Sequence, residues 1–207
     1  MIAIDDSESM RTNGAGRLAL EAMVVLCKAL TQLEVGQLAV VSFGDEVRLL
    51  HAFDRPFTDA SGAHTIAQFS FQQAKTHWPR FLESAVAQFA QARHESAGAG
   101  DELLQLAFII SDARVQQDRE TVARWTREAA ERRQLLVLIV VDSTGGNEAN
   151  SILKLQSVTY PGGKIKVVKY LENFPFPYYV ILSQLAELPE IVADALRQFF
   201  ELVNGAR

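Results

Sequence analysis

Short apolar runs alternate with segments of helical period along this chain, and that alternation limits the possible folds more than any other feature. Apolar strands are expected near 2–5, 37–42, 46–50, 104–111 and 134–141, with helices over 15–33, 79–92 and 118–132. Strands interleaved with helices of this length indicate a mostly parallel sheet covered by helices on both faces, the doubly wound α/β class. The two strands around Gly44-Asp45 are too close in sequence for anything but a hairpin, so one antiparallel edge strand joins the sheet. A last strand is expected from Tyr178 to Leu182. It precedes a helix whose Ile191, Val192, Ala195, Leu196, Phe199, Phe200 and Val203 form one apolar stripe, read as core. In open sheets of this kind the binding crevice lies beyond the carboxyl ends of the strands.

Bulk properties fit one globular domain. The chain has 207 residues, 48% hydrophobic and 22% charged, enough for one sizeable core. Its longest apolar run, Leu135 to Val141, suits a buried strand and is too short for a bilayer, so no membrane partner is expected. The formal charge of −5, with Lys and Arg scattered along the chain, argues against direct nucleic-acid binding, which needs a basic patch. The single Cys27 lies in apolar helix-like sequence and reads as a small core residue. Gly162-Gly163-Lys164 lacks the remainder of a phosphate-binding loop and reads as a hairpin turn after Pro161. His51, His64, His77 and His94 show no zinc or nucleophile-base spacing.

The chemistry sits at the first strand end, where Met1-Ile2-Ala3-Ile4 runs into Asp5-Asp6-Ser7-Glu8-Ser9-Met10. Asp5, Ser7 and Ser9 share the two-residue period of an extended chain, which would converge three oxygens on one side. Asp6 and Glu8 would then point elsewhere, as rim charges. Carboxylate and hydroxyl oxygens without His or Cys suit magnesium or manganese better than zinc. The bland alternative for Ser7 or Ser9 is a helix cap. Two distant positions complete the set: Asp112, after the apolar run Leu106 to Ser111, and Thr76, in the loop before a helix that Pro79 opens.

Asp5-x-Ser7-x-Ser9, Thr76 and Asp112 together resemble the metal-ion-dependent adhesion site of von Willebrand factor A domains, and the resemblance covers nearly the whole chain. The usual Gly after the strand-end Asp is Ala113 here. Within that superfamily, Asp5 to Met10, Leu33-Glu34-Val35-Gly36-Gln37, Ser42-Phe43-Gly44, Phe71-Gln72-Gln73 and Phe174-Pro175-Phe176-Pro177-Tyr178-Tyr179 resemble the C-terminal domain of the midasin family, ring ATPases of large-subunit ribosome assembly. The resemblance implies a von Willebrand factor A (Rossmann-like) fold, with Ser7, Ser9 and Thr76 as direct ligands of Mg2+, or Mn2+, and Asp5 and Asp112 acting largely through water. It further implies a non-enzymatic hook that grips a Glu or Asp of ubiquitin-like domains on WD40-repeat assembly factors of the pre-60S particle. A nuclear location, nucleolus and nucleoplasm, goes with that role.

Two other functions are weighed. A haloacid-dehalogenase-like phosphatase also carries an Asp-rich magnesium motif after its first strand, but needs a second Asp where Ser7 stands, and a serine is no general acid at neutral pH. A surface that binds by shape, with the metal site vestigial, is the third.

The domain is expected to span 1–207 and, because its first strand starts at Met1, to be excised from a longer chain. An insertion is expected over 143–177, with Ser157 to Tyr160 and Lys164 to Val168 as a hairpin. That hairpin fits either a border of the metal crevice or a cover for the sheet edge. His94 to Asp101 reads as a flexible small-residue loop, natural or replacing a longer one. Asp5, at a strand tip outside the core, should tolerate Ala without loss of the fold, and Ser42→Ala should do little.

Overall fold

The computed structural model describes residues 1–34, 36–96, 103–115, 119–142, 152, 156–159, 166–169 and 174–205. A six-stranded sheet has the order β3-β2-β1-β4-β5-β8, from β1 (Ile2–Asp5), β2 (Val40–Phe43), β3 (Val47–His51), β4 (Gln105–Ser111), β5 (Gln134–Val141) and β8 (Tyr179–Leu182). All neighbours are parallel except β2 and β3, whose hairpin makes β3 the expected antiparallel edge. Strands β6 (Gln156–Thr159) and β7 (Lys166–Lys169) pair antiparallel as a separate two-stranded sheet. The turn of that hairpin, 160–165, and most of the loop expected at 94–101 lie outside the described residues.

Both faces of the central sheet are buried, and the side chains divide between them with the period of two that a pleated strand imposes. Ala107 and Ile109 of β4, with Leu136, Leu138 and Val140 of β5, join one core with α4 (Trp78–Glu95) and α5 (Arg119–Glu131). Phe108 and Ile110, with Leu135, Val137, Ile139 and Val141, join a second core with α2 (Ala15–Gln32) and α6 (Leu188–Gly205). Burial on both faces explains why the β4 and β5 sequences run apolar without alternation. Cys27 is 1% exposed in the second core, and burial pushes its thiol up to about 12, so it behaves as a small apolar residue.

Two helices escape the periodicity argument. α1 (Glu8–Thr12) is barely more than one turn, and α3 (Asp59–Ile66) is weakly amphipathic, held at its start by a Thr58–Ser61 capping box. Among the described residues no helix is long and apolar enough to cross a membrane.

Phe43 at the end of β2 stacks on Phe81 of α4, with centroids 4.0 Å apart, and meets Trp78 edge-on at 5.3 Å. This aromatic cluster fixes α4, and with it the loop that precedes α4. Phe81→Ala is expected to cost about 3–5 kcal/mol in urea unfolding, because the transfer and cavity terms add. Ser42 presents the opposite case: its hydroxyl is buried without a hydrogen-bond partner. Ser42→Ala in the same assay should match or exceed wild-type stability, since it removes an unsatisfied polar atom.

Candidate metal centre

The strand β1 stops at Asp5, and the chain turns at once into α1, with Ser7 at the N-cap and Ser9 inside the first turn. Convergence of the two serines therefore comes from a helical turn rather than from the extended period that the sequence suggested. Their hydroxyls lie 3.0 Å apart. Although Ser7 occupies the cap position, its side chain makes no capping hydrogen bond. The bland reading of this serine as a cap thus fails, and its hydroxyl stays turned toward Ser9.

Asp5 is the hub of the cluster. Its Oδ1 accepts the Ser7 backbone N–H at 3.0 Å, and its Oδ2 accepts the Ser111 hydroxyl at 2.7 Å. The Thr76 hydroxyl lies 3.3 and 3.4 Å from its two carboxylate oxygens. Thr76 sits just before His77, the N-cap of α4, as the sequence places it. Asp5 is only 1% exposed, which corrects the expectation of a residue outside the core. Burial first, then the charge of Asp112, push its carboxyl up to about 7, against the opposing hydrogen bonds from Ser111 and Ser7.

Asp112 follows β4, the strand beside β1, and so shares its end of the sheet. Its Oδ2 accepts Asn13 Nδ2 at 3.0 Å and lies 3.3 Å from Arg114 Nε. The Asp112 backbone N–H points at the buried Met10 sulfur, 3.2 Å away. Ala113, which stands where the family has Gly, adopts φ +57°, the left-handed conformation that glycine tolerates best. The Ser111 hydroxyl accepts the Ala113 N–H at 3.0 Å, so one serine supports both the strained turn and Asp5.

Asp6 differs most from expectation: it is no rim charge but 0% exposed. Its Oδ1 accepts the backbone N–H groups of Ser70 and Phe71 at 2.9 and 2.6 Å. Its Oδ2 takes Arg48 Nη2 at 2.8 Å and Gln73 Nε2 at 3.2 Å. Gln73 also accepts Glu46 N–H through Oε1 at 2.8 Å and Glu8 N–H through its backbone oxygen at 2.8 Å. A Cβ on Gly44 would fall 2.6 Å from Gln73 Oε1, so only glycine admits this clamp. Glu8, by contrast, is a rim charge as read, exposed and paired with Arg11.

Sequence reasoning missed Asn13, Ser111 and the structural use of Asp6. Asn13-Gly14 is a readable turn signal, and Ser111 directly precedes a predicted ligand. Nothing local marks Asp6, whose partners are 42 to 67 positions away.

Among the described residues no three of His, Cys, Asp and Glu converge on a common point. The predicted ligands are instead two carboxylates with three hydroxyls, an all-oxygen set that fits a small hard cation and not zinc.

The two adjacent carboxylates should respond oppositely to neutralisation, measured by thermal unfolding in EDTA. The raised Asp5 pKa means that the unfolded chain gives up this proton first, so stability should fall as pH rises from about 3.8 to about 7 and level off above that. Asp5→Asn should flatten that dependence and raise Tm above pH 7. Asp6→Asn should lower stability by about 1–3 kcal/mol, because it gives up the charge-assisted bond to the half-exposed Arg48 and turns an acceptor oxygen facing buried donors into an amide N–H group.

No protein-family model matches the chain. Over its whole length it is 42% identical to midasin of Dictyostelium discoideum, and over 99% of its length 34% identical to midasin of Giardia intestinalis. It spans only 3% and 4% of those proteins. Among solved structures, the conserved hypothetical protein BatB from Bacteroides thetaiotaomicron superposes with TM-score 0.59 at 13% identity, with 97% of both chains covered. The SpRpn10 VWA domain gives 0.53 at 10% identity, covering 93% of this chain and 92% of that one. The manganese-loaded TRAP protein of Plasmodium vivax gives 0.53 at 14% identity, covering 67% and 54%. At such identities these structures speak for the fold alone, and the midasin matches run the whole length of the chain, which fits a von Willebrand factor A domain of midasin.

Proposed function

We propose that this domain is a metal-dependent protein-binding module, in which Ser7, Ser9 and Thr76 hold Mg2+ or Mn2+ directly while Asp5 and Asp112 act through water. The observation that carries the reading is the gathering of hydroxyls around Asp5 with the Ser7 hydroxyl withheld from helix capping. Manganese in the Plasmodium vivax structure lends support for a divalent ion in this fold.

Each residue has a task. Ser111 and the Ser7 N–H fix the Asp5 carboxylate at the β1 tip. Asn13 fixes that of Asp112 from the junction of α1 and α2 (Ala15–Gln32). Asp6 and Gln73 hold the loop that delivers Thr76. A bound divalent cation would offset the cost that burial and Asp112 place on a charged Asp5, and would present an electrophilic position to an incoming carboxylate oxygen. Two carboxylates balance the charge of such an ion, and neutral hydroxyls leave it receptive to a further anion.

The family reading extends to the partner: a Glu or Asp of a ubiquitin-like domain on a WD40-repeat assembly factor, gripped in the nucleus so that the longer protein can draw the factor from pre-60S particles. The domain spans 1–207 with an insertion at 143–177, contacts no nucleic acid directly and catalyses nothing. The phosphatase alternative gains no support, because the position that needs a proton-handling Asp is Ser7, whose hydroxyl faces another hydroxyl.

Calorimetric titration with such a ubiquitin-like domain, in magnesium and again in excess EDTA, tests the reading. Binding in magnesium alone, lost when the partner's coordinating Glu is changed to Ala, is the expected result. Equal binding in both buffers would overturn the metal bridge and favour recognition by shape.

A further inference from the structure

Lys and Arg are scattered along the sequence, yet several stand beside the proposed ligands Thr76 and Asp112. Lys75 and His77 flank Thr76, Arg80 lies in the first turn of α4, and Arg114 follows Asp112 by two residues; all four are exposed. Two anchors hold them. On one side the tip of the β2–β3 hairpin draws the 74–80 segment in: Asp45 Oδ2 accepts the Ala74 and Lys75 N–H groups at 2.8 and 3.2 Å. The Asp45 backbone oxygen accepts Arg80 Nη1 at 3.1 Å, and its Oδ1 is 3.7 Å from His77 Nε2. On the other side Arg114 Nε lies 3.3 Å from Asp112 Oδ2, with its side chain 38% exposed.

The acids of this rim are largely spent internally. Asp45 is engaged by two backbone amides, Asp6 is sealed against Arg48, and Glu8 pairs with Arg11. Glu46 is the exposed acid that remains on the hairpin tip. With a divalent ion offsetting Asp5 and Asp112, the mouth of the crevice carries an excess of positive charge, on a chain whose formal charge is −5. Charge placed against the net sign of a domain, around a site for an anionic group, is the arrangement that steers and orients an acidic partner.

We propose that Lys75 and Arg114, which bracket the crevice, with Arg80 beside Lys75, form a second recognition element for acidic side chains flanking the partner's coordinating carboxylate. This rests on the proposed metal-bridged binding and adds the partner's surface chemistry: an acidic patch, not a lone Glu on a neutral surface. A guanidinium and an ammonium serve different geometries here, since Arg114 presents a planar fork to a carboxylate and Lys75 a point charge.

Association of the domain with an immobilised ubiquitin-like domain of an assembly factor, followed in magnesium at low and physiological salt, tests the proposal. Lys75→Glu/Arg80→Glu, and the same variant with Arg114→Glu added, should slow association by about tenfold and flatten its salt dependence. The thermal shift given by magnesium to the Lys75→Glu/Arg80→Glu variant reports separately that its metal site is intact. Unchanged association rate and salt slope in a variant that keeps this shift would overturn the rim. If the wild-type domain ignores every ubiquitin-like domain tried, the assignment of that partner fails, and the rim is then read with polyglutamate as probe. Retention of polyglutamate by wild type and its loss in the variants supports the acidic-protein surface. Equal retention by both, or tighter binding of oligouridylate than of polyglutamate, overturns it.

Discussion

The buried carboxylate of Asp6 is the constraint on which the geometry of this crevice depends. A fully buried charge has to be paired and hydrogen-bonded, and Asp6 draws its donors from Arg48 on one edge and from Ser70, Phe71 and Gln73 on a loop with no regular structure of its own. That requirement docks the loop onto the tip of β1. Phe71 is held at φ +51°, a conformation costing an L-residue about 1–2 kcal/mol, and its ring lies against the position where a Gly16 Cβ would be. The short Phe71 N–H contact to Asp6 helps offset that cost. Gln73 then pairs with Ser7 in an isolated parallel bridge, and the chain three residues on brings Thr76 to Asp5.

Two neighbouring aspartates therefore carry opposite duties. Asp6 is neutralised by the protein itself, and its partners leave it nothing to offer a ligand. Asp5 is equally buried but receives only N–H and O–H groups and faces a second carboxylate, so its charge is left for something else to balance. The contrast follows from strand geometry: successive side chains at the end of β1 leave on opposite sides, one into the loop that Arg48 reaches and one toward β4. Gly44 and the Phe43 stack belong to the same device, because they let Gln73 close in and fix the start of α4.

Much of this was readable from sequence. The sheet, its antiparallel edge and the apolar faces of α2, α4 and α5 all follow from period, and the elements agree with it to within a few residues at their ends. The five proposed ligand positions are marked in the sequence by a fixed spacing, a strand end and a helix start, and the fold brings Thr76 and the end of β4 to Asp5. Asp6 escapes a local reading because its role depends on partners far along the chain, and Ser9 meets Ser7 through a helical turn, not through the extended period expected. Ala113 was legible as a departure from Gly, and the structure supplies its meaning: the turn keeps the left-handed conformation, with Ser111 bonded across it.

By itself, the sequence determined which residues are apolar and at what period, and hence a doubly wound sheet with Asp and Ser side chains gathered at the carboxyl ends of its strands. Local chemistry suffices for that, since period, caps and turn residues act over a few positions. Only tertiary structure decided which carboxylate is consumed internally and how deeply Asp5 is buried. Those outcomes depend on distances between residues far apart in the chain, and electrostatic energies depend on distance and burial, neither of which a local pattern records.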